Sequence, residues 1–435
     1  MDHEVATFLE LEARALLARL DRVKPFALHE VMVPAANISP AAQAAVNRYL
    51  AQGRRQLRVL VRRFLDSLDG AEARRAAPAE VQRQFTVLRL RFNTVLTQFD
   101  LFADALSQRS EIDTGVWLAG LDTVAADALA LPGYIEAPPV VCYLDRGMGA
   151  AIRRARTRLP GGGRNPVAVI RVPRERMIGS GIASSLVHEV GHQAAALLNL
   201  VASLRPMLQA HWQNDVDPEH SVWRYWERWI SEIVADLWSV ARVGVASTVG
   251  LILVVSLPAP FVFRVNLNDP HPIPWIRVKL SAAIGKALYP SAHWDGLSRL
   301  WESLYPTDDL PEAKRALLER LVAGIPDFVS ALLEHRPRRL RGESLGAVFS
   351  VTERQPAHLS ALYDQWRLIP AQMFRAPPAL VFAVIGQARA QHKITPEQES
   401  DLVARLLTRW ALRGTQVVPA RRETLQTVRR TVPAT

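Results

Sequence analysis

Val243 to Phe263 is a run of 21 residues without a charged side chain, near the length that spans a bilayer. Ser256, Pro258 and Pro260 interrupt it, and Gly244, Ser247, Thr248 and Gly250 dilute its front half. The uninterrupted helical part is roughly 14 residues, short for a span. The run therefore reads as a helix enclosed by protein, with a membrane-embedded segment as the alternative. Enclosing it takes apolar faces from several other helices. At 435 residues, 49% hydrophobic and 22% charged, the chain has both the length and the composition for such cores and is not a disordered polymer.

The flanks supply those faces. Phe8, Leu9, Leu11, Leu16, Leu17 and Leu20 recur at helical spacing. Asn37-Ile38-Ser39-Pro40 caps a second helix that ends at Asp69-Gly70, a third runs from Pro78 to Ser107, and a fourth from Gly115 to Leu131. Residues 1–135 are thus expected as an N-terminal helical bundle. After Pro132 the texture changes. Val140 to Leu144 and Pro166 to Val172 read as short strands, with a basic helix from Ala150 to Leu159 and a Gly161 to Gly163 turn between them. A helix follows from Ile182 to Leu204. Residues 301–413 read as helices divided by Pro326, Pro337, Pro356, Pro370, Pro377 and Pro378, and residues 414–435 as a basic flexible tail. The expected fold is mainly helical α+β: a core over residues 136–300 with a small sheet, set between the two helical regions.

The net charge of +11 would suit an acidic partner. Only five of the 53 basic residues are Lys, however. An Arg-for-Lys bias of this size reads as genome composition, so the charge gives no strong evidence for nucleic acid. Nine Arg between Arg146 and Arg176 precede the helix at 182–204 and would favour acidic segments if they flank a cleft. The single Cys142 sits in an apolar run, which excludes a disulfide framework and a thiolate metal site. The acidic N-terminus has no basic-then-apolar signal pattern, so a cytoplasmic location is the expectation.

The chemistry lies in His188-Glu189-Val190-Gly191-His192. Two His at i and i+4 share one helix face and can reach one metal ion. Glu189, one residue off that face, can act as a base toward a water beside the metal. Zinc in a catalytic site takes a third protein ligand and keeps one position open. Positions 195 and 198 hold Ala and Leu, so a third His six residues on is excluded. His211 and His220 lie in a loop without a supporting pattern. Glu232 is the better candidate, because it opens an apolar helix in which an unpaired carboxylate is costly. Asp236 is four residues on and shares its face, placed to accept a hydrogen bond from a ligating His. An upstream strand, Val167 to Val172, offers an edge for an extended peptide. Trp223, Trp226 and Trp229, spaced by three, read as core or cleft packing rather than base stacking. Ser184 and Ser185 lack the tight turn of a serine nucleophile.

His188-Glu189-x-x-His192 followed by Glu232-x-x-x-Asp236 resembles the gluzincin zinc metallopeptidases. With His271-Pro272-x4-Arg277 the ordered trio is similar to HtpX-like and CAAX-prenyl-protease-like peptidases over residues 165–280. The resemblance implies a zincin-like metallopeptidase core and one zinc per chain on His188, His192 and Glu232. It further implies Glu189 as general base, Asp236 orienting His188, His271 stabilising the oxyanion, and Arg277 pairing with a carboxylate. The expected activity is zinc-dependent hydrolysis of protein or peptide substrates, acidic ones included. The rivals are a zincin-like interaction module without turnover and a nucleic-acid-associated protease.

Overall fold

In the computed structural model, residues 3–23, 32–70, 75–147, 149–159, 163–174, 179–266 and 268–416 are described. They form a mainly helical α+β fold with one small sheet. Helices α1 (His3–Arg22), α2 (Pro40–Leu68) and α3 (Pro78–Ser107) share an apolar cluster built on Leu9, Leu16, Val46, Val61, Phe85 and Phe92. Their boundaries follow from local chemistry. The Ser39 hydroxyl accepts from the Ala42 N–H at 3.2 Å with Pro40 in the first turn, where no N–H is needed. Helix α4 (Ile112–Leu129), grouped by sequence with these helices, instead buries Leu118, Leu121 and Val124 in a second, larger cluster.

The sheet lies between the two clusters. Its order is β1 (Val140–Asp145), β3 (Ala168–Pro173), β2 (Ala151–Arg153). β1 runs parallel to β3, with Val140 opposite Ala168, and β2 runs antiparallel, with Ile152 opposite Ile170. Val141 and Val169 face the small cluster, whereas Cys142 and Ile170 face the large one. Cover on both faces explains why Val140–Cys142 and Ala168–Ile170 are unbroken apolar runs rather than alternating ones.

Two expectations fail here. The strand at 167–172 forms, but as the centre of the sheet, so it has no free edge. Residues 150–159 are not a basic helix. The Arg153 and Arg154 carbonyls accept from Asn165 Nδ2 at 3.0 and 3.1 Å, and the Ala155 N–H donates to Gln193 at 2.7 Å. Backbone groups a helix would pair internally are bound to other segments, and β2 is one of the two outer strands. At Gly163 the chain turns with φ +85° beside an Arg158–Arg164 bridge; Gly161 and Gly162 lie outside the described residues, as does Arg176 of the Arg-rich stretch.

The large cluster is closed by α5 (Ser180–Leu198), α6 (Leu200–Gln213), α7 (Val222–Val243), α8 (Val245–Val255), α9 (Ala259–Val262), α10 (Pro274–Leu288), α11 (Ala292–Leu304), α12 (Glu312–Glu334), α13 (Leu345–Phe349), α14 (Pro356–Leu368), α15 (Pro370–Arg375), α16 (Pro378–Ala390) and α17 (Pro396–Gln416). The helix expected from 182 to 204 is broken at Asn199, whose φ of 54° is left-handed. Helix α12 runs through Pro326 instead of ending there. The uncharged run becomes the end of α7, α8 and α9, with Val245, Ala246 and Leu251 buried. Among the described residues no helix is long and apolar enough to cross a membrane. Trp226, Trp229 and Trp238 are core residues, and Trp226 stacks on Phe328 with ring centres 4.9 Å apart. Of the expected tail, residues 414–416 continue α17 and the rest lies outside the described residues.

A buried ion pair ties the two clusters together. Arg109 is fully buried; its Nη2 donates to the Cys142 carbonyl at 2.7 Å and to Asp122 Oδ1 at 3.1 Å, and its Nη1 lies 3.0 Å from Asp122 Oδ2. Asp122 also accepts the Cys142 N–H at 2.6 Å. Arg109→Met leaves the Asp122 carboxylate without its cation. We expect it to lower unfolding free energy by about 3–5 kcal/mol, read as a reduced urea midpoint.

Candidate metal centre

Helix α5 is enclosed on nearly every side, with Ile182, Leu186, Val187, Val190 and Ala194 buried. Such a helix needs close neighbours. At Gly191 a Cβ would meet the Ala235 Cα and carbonyl oxygen at 2.8 Å, so the missing side chain lets α7 lie directly on α5. That contact sets His188 and His192 opposite Asp236 and Glu232. The N-terminus of α5 is fixed from the far end of the chain. Glu399 on α17 accepts from the Ser180 N–H and hydroxyl at 3.0 Å each, and Arg389 Nε lies 3.2 Å from its other oxygen. Gly179 precedes with φ +52°, and a Cβ there would stand 2.3 Å from the Glu399 carboxylate. The carboxylate thus replaces the missing side-chain cap and opposes the positive end of the helix dipole.

The sequence-predicted residues converge. One ligand atom each from His188, His192 and Glu232 lies within 4.8 Å of the other two. Glu232 Oε2 is 3.3 Å from His188 Nε2 and 3.4 Å from His271 Nε2, and its Oε1 is 3.4 Å from His192 Nε2. Oε2 is buried yet takes no hydrogen bond. Arg277 Nη2 stands 3.6 Å from the same oxygen, beyond hydrogen-bond reach. A carboxylate oxygen without a hydrogen bond, beside imidazole nitrogens that carry lone pairs when neutral, is a donor set suited to a divalent cation. Imidazole and carboxylate without thiolate fit zinc among several such ions.

The supporting layer is built around Asp236. Its Oδ1 lies 2.8 Å from His188 Nδ1. Arg277 on α10 donates to the same carboxylate twice, Nε to Oδ2 at 2.7 Å and Nη2 to Oδ1 at 2.9 Å. His271 is half-exposed, with Nδ1 2.7 Å from Asp269 Oδ1, an oxygen that also accepts its backbone N–H at 3.0 Å. His211 stacks on Trp223 and His220 pairs with Asp217, both away from this cluster.

The electrostatics follow from burial and charge. Burial works against a charged His188, but Asp236 more than offsets it and the imidazole is raised to about 9. Burial likewise opposes ionisation of Asp236, yet Arg277 and His188 hold it down at about 2. Glu232 lies well below the usual carboxylate range, because His188 and His192 overcome its burial. Glu189 moves the other way: burial raises it, with the two imidazoles opposing. Two carboxylates in one site with opposite shifts is the pattern that divides a permanently charged group from a proton acceptor and donor.

A cavity of about 140 Å³ opens beside the cluster, lined by His188, Glu189 and His271 together with Ser184, Leu251 and Val254. Gly149 and Ala150, leading into β2, also line it, with Ser185, Asp236 and Arg277, and none of the described Arg residues of the 146–176 stretch does. Sequence reasoning missed Asp269, Leu251, Val254 and Glu399. Asp269 had a local signal, since an Asp two residues before His271 makes an Asx turn. Comparison of the chain with family models, with curated proteins and with solved structures returned no match.

Proposed function

We propose that the chain is a zinc-dependent metallopeptidase of the gluzincin kind. The observation that carries this reading is the convergence of His188, His192 and Glu232, whose buried Oε2 takes no hydrogen bond, next to a cavity that His188 and Glu189 line. A zinc ion on these three residues would supply acidity to a water and polarise a peptide carbonyl. Asp236 fixes the His188 ring through Nδ1 and leaves Nε2 toward Glu232. Arg277 holds Asp236 in that orientation with a bidentate pair. Glu189 takes the proton of the attacking water and delivers it to the leaving amine, a role its raised pKa suits. His271, held by Asp269, donates toward the oxyanion of the tetrahedral intermediate. The outer edge of β2 runs from Gly149 and Ala150 at the cavity, and an extended peptide can pair with it.

The test is metal analysis together with proteolysis of a broad peptide library on the same sample. We expect about one zinc per chain, as a single three-ligand site requires. Cleavage should stop with a chelator and return with added zinc. A zinc-loaded protein that cuts no library member would leave a zincin-like interaction module as the reading.

A further inference from the structure

A second cavity, of about 810 Å³, lies between α4, α15 and α17, within the range of small-molecule sites. Trp117, Phe374 and Leu412 give it apolar walls, and Arg375, Arg405, Arg409 and Arg413 stand around it. No carboxylate lines it. Arg405, Arg409 and Arg413 are spaced by four along α17, so they stack on one face, an arrangement that is repulsive in an isolated helix. Arg405 Nε donates to the Asp401 backbone carbonyl at 3.3 Å. Among the described residues, Arg375, Arg409 and Arg413 have no anionic partner. Arg413 is held below the usual guanidinium value by burial and by nearby Arg409 and Arg375. The sequence beyond Gln416 carries Arg421, Arg422, Arg429 and Arg430 against Glu423 alone, so it adds positive charge rather than a counter-ion.

Four guanidinium groups at an apolar concavity match a ligand with at least two negative charges on one end and an apolar body on the other. Guanidinium forks pair bidentately with phosphate oxygens. We propose that this cavity binds a small amphipathic phosphate ester, with its phosphate on Arg375, Arg409 and Arg413 and its body against Trp117, Phe374 and Leu412. The same chemistry is offered by a nucleotide and by a phospholipid headgroup with short chains.

Calorimetric titrations of the full chain in EDTA keep any metal-held phosphate out of the measurement. The probes are ATP, dihexanoyl phosphatidate, adenosine, sodium pyrophosphate and a single-stranded oligonucleotide. We expect ATP or dihexanoyl phosphatidate to bind with Kd below about 1 mM, and which of them binds identifies the body. Adenosine and pyrophosphate, each lacking half of the ligand, should bind at least about tenfold more weakly. Arg409→Gln with Arg413→Gln should weaken the bound probe by at least about tenfold, the worth of one lost charged hydrogen bond. Its Tm should hold or rise, because repulsion is removed. Trp117→Leu should weaken the same probe through the body alone. Absence of binding by both phosphate esters, wild-type affinity in the double-Arg variant, or binding of the oligonucleotide alone would each overturn the proposal.

Discussion

Glu189→Gln is expected to bind zinc as the wild type does and to lose peptide hydrolysis by about 10²–10⁴-fold, the usual contribution of a positioned acid–base group. Glu189 is not one of the three residues whose ligand atoms converge, so removing its charge takes no donor from the cation. The amide keeps the volume and the hydrogen-bonding outline of the carboxylate and therefore leaves the buried cavity wall in place. What it cannot do is accept a proton. Burial has already raised the Glu189 pKa, which narrows the gap to the group it must protonate, and the amide has no counterpart to that. The measurement pairs zinc content with kcat on the best library peptide. Zinc lost along with activity would make Glu189 a ligand, and undiminished turnover would remove it from the mechanism.

Much of the helical frame was legible because its signals are local. Ser39-Pro40 and Pro78 mark helix starts within one turn, and α2 and α3 begin where those residues place them. The site was legible for a related reason. His188 and His192, and Glu232 and Asp236, are i,i+4 pairs, and such spacing on two helices fixes one face of each before their packing is known. What the spacing leaves open is whether the two faces meet. That depends on Gly191, whose missing side chain admits α7, and only the structure reveals its partner Ala235.

The parts that were misread depend on distant partners. Ala151–Arg153 has no strand signal of its own and is a strand because β3 offers an unpaired side. Asn199 ends α5 in a left-handed conformation that a glycine would have announced. The pair Ser180–Glu399 spans 219 positions, and no local pattern links a carboxylate on the last described helix to the start of the helix carrying the His pair. Arg109 looks like a surface cation in the sequence, yet it is buried because Asp122 and the Cys142 carbonyl close around it. Long-range pairing of this kind is invisible to periodicity, and it is what supports the site from outside.

Glu232→Ala carries the largest expected effect on zinc. Outer partners of a metal site are worth about 10–100-fold in affinity, and loss of a charged ligand from a set of three should exceed that. Two neutral imidazoles would be left, on one helix, with the charge-balancing group gone. The alternative role for Glu232 is structural, as an anion holding His188, His192 and His271 together at 3.3–3.4 Å. Stability measured with and without zinc separates the two. A ligand contributes through mass action: wild type at a thousandfold excess over Kd should gain about 4 kcal/mol on adding zinc, and the Ala variant little. In EDTA the variant should also be less stable than wild type, because His188 and His192 hold the Glu232 pKa below the usual range and the change removes that pairing. A purely structural Glu232 predicts the same loss in EDTA but an unchanged response to zinc. Asp236 lies one turn further along α7 and keeps both of its hydrogen bonds from Arg277, which loses only the 3.6 Å ion pair to Glu232. A fold that survives while zinc binding fails would therefore assign Glu232 to the metal.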